Sequence, residues 1–316
     1  MNYGLIGEKL GHSYSKFIQE RLLDNYTYEI HPIPKEKLDA FMKKKDFKGI
    51  NVTIPYKEKV LPYLDFIDEK AKRIGAVNTI VNKNNKLYGY NTDYYGFDYM
   101  IKVHNINLKD KTILILGAGG ASKAIQEVCK DHNCKELIMT ATRQRDNIVT
   151  IDEVYKRSDD IDIIINTTPC GMYPNIYTKA CDVSKFKNCK AVIDVVYNPI
   201  NTELCLEARE LGIFNITGLE MLVAQAKKAL EYFKDIQIDD LLIDTIYKDI
   251  LFDTSNIVLH NKEHALQFSK TLHKEYMEVT EDNLNDITLL TNKLFYVEKE
   301  FYINNKKAFY YNAILK

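Results

Sequence analysis

The chain has 316 residues, 46% of them apolar and 28% charged, with 43 lysines and arginines against 44 aspartates and glutamates. That length suits about two domains with cores of their own, and the even charge balance excludes the polybasic footprint of a nucleic-acid or anionic-membrane binder. The opening MNYGLIGEKLGHS has neither a basic nor an apolar leader pattern, and no apolar run is long enough to span a bilayer. A cytoplasmic, soluble protein is expected. The cysteines at 129, 134, 170, 181, 189 and 205 form no CxxC pair and no cluster with histidine. They read as reduced thiols, and no metal site is expected.

NYGLIG and GINVTIP are short apolar runs closed by Gly or Pro, the pattern of buried strands. Between them SKFIQERLLDNY puts Phe17, Ile18, Leu22 and Leu23 at helical spacing. AVNTIVNKNNKLYGYNTD reads as a hairpin around an Asn-rich turn. From about residue 95 the predicted order is helix, strand (112–116), glycine turn, helix (121–132), and strands at 136–141, 161–165 and 191–195. Strands separated by helical segments imply right-handed parallel crossovers, hence a doubly wound sheet. A long helix over 219–234 carries Leu222, Ala226, Ala229 and Phe233 on one face, and another follows at about 238–251. The expected organisation is a first domain over 1–93, a dinucleotide domain over 94–218, and a helical return over 219–254 that packs on the first. A cleft between the two is the natural ligand site.

The glycine-rich turn lies in LILGAGGASKAIQ. Gly117 and Gly119 permit tight turning and close approach of a phosphate, and the following helix aims its free N–H groups at an anion. Ser122 stands where a third glycine is usual. A glycine-rich turn alone is modest support, and the next strand carries the discrimination. NAD sites place an acid near its end for the ribose 2′-hydroxyl, whereas ELIMTA here leads into TRQRD. Arg143 and Arg145 in that place suit a 2′-phosphate, because guanidinium is a permanently charged planar fork. NADP is therefore the expected cofactor.

In the first domain, GHSYSK sets Ser13 and Ser15 two apart before a helix, where they read either as carboxylate-binding hydroxyls or as solvated caps. In NVTIPYKEKV, Thr53 and Lys57 fall at a strand-to-helix corner. A lysine in a first helical turn would feel the positive end of the helix dipole, which favours proton exchange. Lys57 reads equally as a surface lysine like Lys59. Asp93 in GYNTD ends the hairpin and Asn78 in GAVNT lies on its paired strand. Such polar groups gathered at strand ends suit a polyol substrate.

GEKLGHSYSK, GINVTIPYKEKV, GAVNTI, GYNTDYYGF, ILGAGGAS, INTTPCGMYP, DVVYNPINTELCLEAR and GLEMLVAQA occur in the order and approximate spacing of the shikimate dehydrogenase family, which the chain resembles up to about residue 254. The resemblance implies an α/β fold in which an N-terminal mixed-sheet substrate domain joins a doubly wound Rossmann domain. It also implies reversible NADPH-dependent reduction of 3-dehydroshikimate to shikimate, in the chorismate pathway. Lys57 and Asp93 would then be the catalytic pair. Ser13 and Ser15 would bind the substrate carboxylate, with Tyr197 on that side, while Thr53, Asn78 and Gln225 hold ring hydroxyls. Gly117, Ala118, Gly119, Gly120, Ala121 and Ser122 match the pyrophosphate turn. Thr142, Arg143 and Arg145 fall at the adenosine phosphate, and Thr167, Val195, Gly218 and Met221 border the nicotinamide.

The chain departs from the family pattern at Lys9 and Leu10, at Lys16, at Thr142 and Gln144, and at Glu220. An NAD-dependent quinate/shikimate dehydrogenase is an alternative, which Ser15 and Arg143 oppose. A non-catalytic ligand sensor is another, opposed by Lys57 and Asp93. Residues 255–316 form an extra C-terminal α+β appendage. SNIVLHNKEHALQFSKTLHKEY reads as strand, loop and helix in the order of a P-loop, yet its loop lacks the glycines and the Gly-Lys-Ser/Thr that cradle phosphate. LFYVEKEFYINNKKAFYYNAIL reads as a hairpin turning at Asn304–Asn305. The appendage is expected to serve packing or a homodimer contact, and His260, His264 and His273 make no metal set.

Overall fold

The structure of the protein, a computed structural model, describes residues 1–10, 13–141, 148–254, 257–283 and 293–304. β1 (Tyr3–Gly7), α1 (Ser15–Leu22), β2 (Glu29–Pro32), α2 (Leu38–Lys44), β3 (Gly49–Val52), β4 (Phe66–Ile67), α3 (Glu69–Ile74), β5 (Thr79–Lys83) and β6 (Lys86–Tyr90) build a six-stranded sheet ordered β2-β1-β3-β5-β6-β4. β1 pairs in parallel with β2 and β3, whereas β3–β5 and β5–β6 are antiparallel, so the sheet is mixed. The expected hairpin turns at Asn84 and Asn85, both at positive φ (53° and 64°), a conformation that asparagine tolerates better than most residues. β3 is buried along its whole length because the sheet is covered on both faces. Ile6, Ile50, Ile80 and Leu87 face Leu38 and Met42, while Leu5 and Val81 face Ile18, Val223 and Leu230.

α4 (Thr92–Val103) leads into the second sheet. β7 (Thr112–Leu116), α5 (Gly120–Asp131), β8 (Glu136–Thr140), α6 (Ile151–Tyr155), β9 (Ile163–Asn166), β10 (Ala191–Asp194), α7 (Glu203–Glu210) and β11 (Phe214–Thr217) give five parallel strands ordered β11-β10-β9-β7-β8. The chain moves outward from β7 to β8 and then returns past β7 to β9. That reversal opens a crevice at the carboxyl end of β7, where the glycine turn sits. One connection differs from the expected alternation. Between β9 and β10 the only regular element is a 3-10 turn at Val183–Lys185, and Cys181, Val183 and Phe186 supply the apolar cover that a helix would otherwise give.

α8 (Leu219–Lys234) returns to the first sheet, and α9 (Leu241–Thr254) lays Ile243, Ile246 and Ile250 on the same core. Helices α4 and α8 touch at Gly96, where a Cβ would stand 2.5 Å from the Met221 carbonyl oxygen. The tail forms β12 (Ile257–Leu259), α10 (Lys262–Leu272), β13 (Glu275–Glu278), β14 (Lys293–Tyr296) and α11 (Lys299–Asn304), with three parallel strands ordered β12-β14-β13. The expected strand, loop and helix are present. The N-terminal N–H groups of α10 are already engaged, since Asn261 Oδ1 accepts from Glu263 and His264. Among the described residues the first arm of the expected second hairpin is not extended up to its turn: residues 299–304 are helical, and Val297 and Phe301, four apart, share one apolar cluster. Asn305 lies outside the described residues. Among the described residues no helix is long and apolar enough to cross a membrane.

Candidate active site

Beyond β3 the chain enters a series of tight turns rather than the expected helix. Tyr56 N donates to Thr53 O at 2.9 Å and Val60 N to Tyr56 O at 3.1 Å, while the Lys57 carbonyl is taken by Val77 N at 2.8 Å, outside any helical ladder. No helix dipole therefore acts on Lys57, which corrects the argument from sequence. What the turns do is anchor Tyr56 in the core, fully buried, and send Lys57 the other way. Asp93 lies in the first turn of α4, whose N-cap Asn91 accepts from Asp93 N at 3.1 Å.

Lys57 Nζ donates to Asp93 Oδ2 at 2.6 Å, with the two side chains 15% and 10% exposed. The other carboxylate oxygen, Oδ1, accepts from Asn78 Nδ2 at 2.9 Å. Asn78 is itself held, because its Oδ1 accepts from Thr92 N at 2.7 Å and Thr79 Oγ1 at 3.0 Å. Gln225, from α8, accepts from Thr92 Oγ1 at 3.3 Å and donates to Leu222 O at 3.0 Å. At the start of α1, Ser13 Oγ donates to Ser15 Oγ at 2.9 Å.

These groups line one cavity of about 540 Å³. Ser13, Ser15, Thr53, Lys57, Asn78, Asp93, Tyr197 and Gln225 all reach it, and from the second sheet so do Ala121, Val195, Gly218 and Met221. Burial pushes the Tyr197 phenol up from its ordinary value, and its ring lies 5.9 Å from that of Tyr14.

The glycine turn adjoins the same cavity. Gly117 has φ +106°, and a Cβ there would stand 2.7 Å from Thr167 Oγ1. Thr167 is pinned by two bonds to Leu116 O, from its N and its Oγ1, each 2.8 Å. A Cβ on Gly119 would meet nothing within 4 Å among the described residues, which leave open space in front of the turn. Ser122 Oγ donates to Gly119 O at 2.8 Å and closes the first turn of α5. Gly120 faces Lys57, with a Cβ there 3.3 Å from the lysine Cδ, so the turn and the amine are neighbours. Gly218 packs on Val195, where a Cβ would stand 2.1 Å from the Val195 carbonyl oxygen. An open, glycine-bounded cradle ahead of a 12-residue helix fits a dinucleotide pyrophosphate. Ala118 belongs to that turn. Thr142, Arg143 and Arg145 lie outside the described residues.

Several polar residues of the site were not singled out from sequence. Asn51, on β3, lines the cavity and accepts from Tyr28 Oη at 2.6 Å while donating to Thr79 Oγ1 at 3.0 Å. Its signal was a polar residue inside an otherwise apolar strand. Gln19, on the buried face of α1, also lines the cavity and donates to Ala226 O at 2.9 Å. At the ends of β9 and β10, fully buried Asp194 accepts from Asn166 Nδ2 (2.9 Å), Thr202 Oγ1 (2.7 Å) and Val196 N (3.0 Å), which fixes the loop bearing Val195 and Tyr197. Burial pushes the Asp194 carboxyl up to about 7, against the lowering effect of those three bonds. Glu220 is hydrogen-bonded to His104 and holds that imidazole above its ordinary value.

Residues 5–80 match the family model described as the shikimate dehydrogenase substrate binding domain. The shikimate dehydrogenase (NADP(+)) of Clostridium beijerinckii is 40% identical over 259 residues, spanning 78% of this chain and 96% of its own. Among solved structures, shikimate dehydrogenase 1 of Peptoclostridium difficile is 44% identical with a TM-score of 0.70, covering 79% of this chain and 97% of that one. The shikimate 5-dehydrogenase of Thermus thermophilus, solved in complex with NADP(H) and shikimate, is 27% identical with a TM-score of 0.71, covering 79% and 99%.

Proposed function

The chain belongs to the shikimate dehydrogenase family, and we propose that it interconverts 3-dehydroshikimate and shikimate with NADP as cofactor, in the chorismate route to aromatic amino acids. The observation that carries this reading is the largely buried Lys57–Asp93 pair in a cavity shared by residues of both sheets and beside the glycine turn. The sequence 1–93 with 219–254 would hold the substrate and 94–218 the cofactor.

When bound, NADPH supplies the hydride; this chain supplies orientation and the proton. Lys57 Nζ donates a proton to the ring ketone oxygen and recovers it from the alcohol in the reverse direction. Asp93 orients the amine through the 2.6 Å bond and accepts from a ring hydroxyl. Asn78, locked by Thr92 and Thr79, keeps Asp93 from turning away. Ser13 and Ser15 receive the substrate carboxylate, with Tyr197 on the same side, while Thr53, Asn78 and Gln225 hold the ring hydroxyls. The turn from Gly117 to Ser122 receives the pyrophosphate. Thr167, Val195, Gly218 and Met221 border the nicotinamide, and Thr142, Arg143 and Arg145 take the adenosine phosphate. We assign the protein to the cytoplasm and residues 255–316 to packing or a homodimer contact.

The test is a steady-state assay that follows nicotinamide absorbance with shikimate or quinate as substrate and NADP or NAD as cofactor. Shikimate with NADP is expected to give the highest kcat/KM. A preference for quinate with NAD would move the chain to the quinate branch. Shikimate binding without turnover of any pair would make it a ligand sensor.

A further inference from the structure

We propose that Lys9 is a substrate-binding residue of this site, an ammonium that meets the ligand's carboxylate at the serine end of the cavity. The inference rests on the function proposed above. The charged residues lining the cavity are Glu8, Lys9, Lys57 and Asp93. Lys57 and Asp93 neutralise each other at 2.6 Å, and Glu8 is paired with Lys35 at 3.3 Å. Lys9 has no ion pair among the described residues, so among them the charge left over in the cavity wall is positive.

Its position points the same way. Lys9 sits on the connection from β1 to α1, which also carries Ser13 and leads into Ser15 at the start of α1. The backbone on both sides is held. Glu8 N donates to Ile54 O at 3.4 Å, and Leu10 packs over Gly7, where a Cβ would stand 2.8 Å from Leu10 Cδ2. The lysine side chain itself is exposed and lines the cavity. Ser13 and Ser15 themselves offer a carboxylate neutral hydroxyls that already bond each other. Charge-assisted bonds are about twice as strong as neutral ones, and a carboxylate leaving water without a cation is costly. Exposure keeps the effect modest and sensitive to salt.

The experiment compares wild type, Lys9→Met and Lys9→Arg by calorimetric titration with shikimate and with shikimate carboxamide, without cofactor, at low and high salt. KM for shikimate is measured alongside. Lys9→Met is expected to weaken shikimate about two- to fivefold at low salt, with a smaller loss at high salt and the carboxamide unaffected, and Lys9→Arg to restore binding. Shikimate binding by Lys9→Met within about twofold of wild type, or an equal loss for the carboxamide, overturns the assignment. Failure of the underlying function is visible separately, as a wild-type protein that neither binds nor turns over shikimate.

Discussion

Replacing Lys57 by alanine removes a proton donor and strands a carboxylate in the same step. General acid–base catalysis is typically worth about 10²–10⁴ in rate, which corresponds to about 3–5 kcal/mol on the barrier. Breaking a buried ion pair by deleting one partner costs about 3–5 kcal/mol of stability where no relief exists. Here relief does exist. Asp93 keeps its 2.9 Å bond from Asn78, and the cavity of about 540 Å³ admits water to the vacated oxygen. The loss of stability should therefore fall below that range, while the loss of rate has no such compensation. Expected for Lys57→Ala is a kcat lower by about 10²–10⁴ in both directions, with shikimate affinity by calorimetry changed only slightly. A thermal melt shows whether the variant is folded. A folded variant whose kcat stays within about threefold of wild type would remove Lys57 from proton transfer, whatever its distance to Asp93.

Three other outcomes are expected. A charge-assisted hydrogen bond is worth about 1.5–3 kcal/mol, so Arg143→Ala should weaken NADPH about ten- to hundredfold and spare NADH; equal losses for the two cofactors would end the 2′-phosphate role. Burial raises the Asp194 carboxyl to about 7, above about 3.9 for an unfolded chain. Between those values the native state retains a proton that the unfolded state has released, so stability falls as pH rises through that window. Tm should drop from about pH 5 to about pH 8 and Asp194→Asn should flatten the drop; an unchanged slope would mean that another group titrates. Gly218→Ala puts a methyl 2.1 Å from the Val195 carbonyl, backbone against backbone, and should cost about 1–3 kcal/mol, measured by denaturant titration, with KM for NADPH raised. A variant as stable as wild type would show that the loop yields freely there.

Much of the architecture could be read from pattern because it rests on local chemistry. The strand at 112–116 appears at those limits, and the Asn-rich turn closes as a hairpin because asparagine accepts positive φ at both 84 and 85. Lys57 was reached through the right neighbours but with the wrong local geometry. The stretch after Pro55 reads as a strand-to-helix corner, whereas it forms tight turns and the Lys57 carbonyl accepts a tertiary bond from Val77 N. The stretch that reads as the first arm of a second hairpin is helical over 299–304, and Val297 and Phe301, four apart, share one cluster. Asn51 and Gln19 stayed hidden because a polar residue within an apolar element reveals its purpose only when the elements around it are assembled.

The chain passes between the two sheets twice, through α4 and through α8, and those helices press together at Gly96. Two connections bound side by side leave little freedom to slide. Relative motion of the halves would be a rotation about the line where the helices meet, like a door on a single hinge. The Glu58–Lys123 pair, at 2.8 Å, ties the first half to α5 of the second and would have to part in such a rotation. Opening of the cleft to substrate would then be coupled to the breaking of that ion pair.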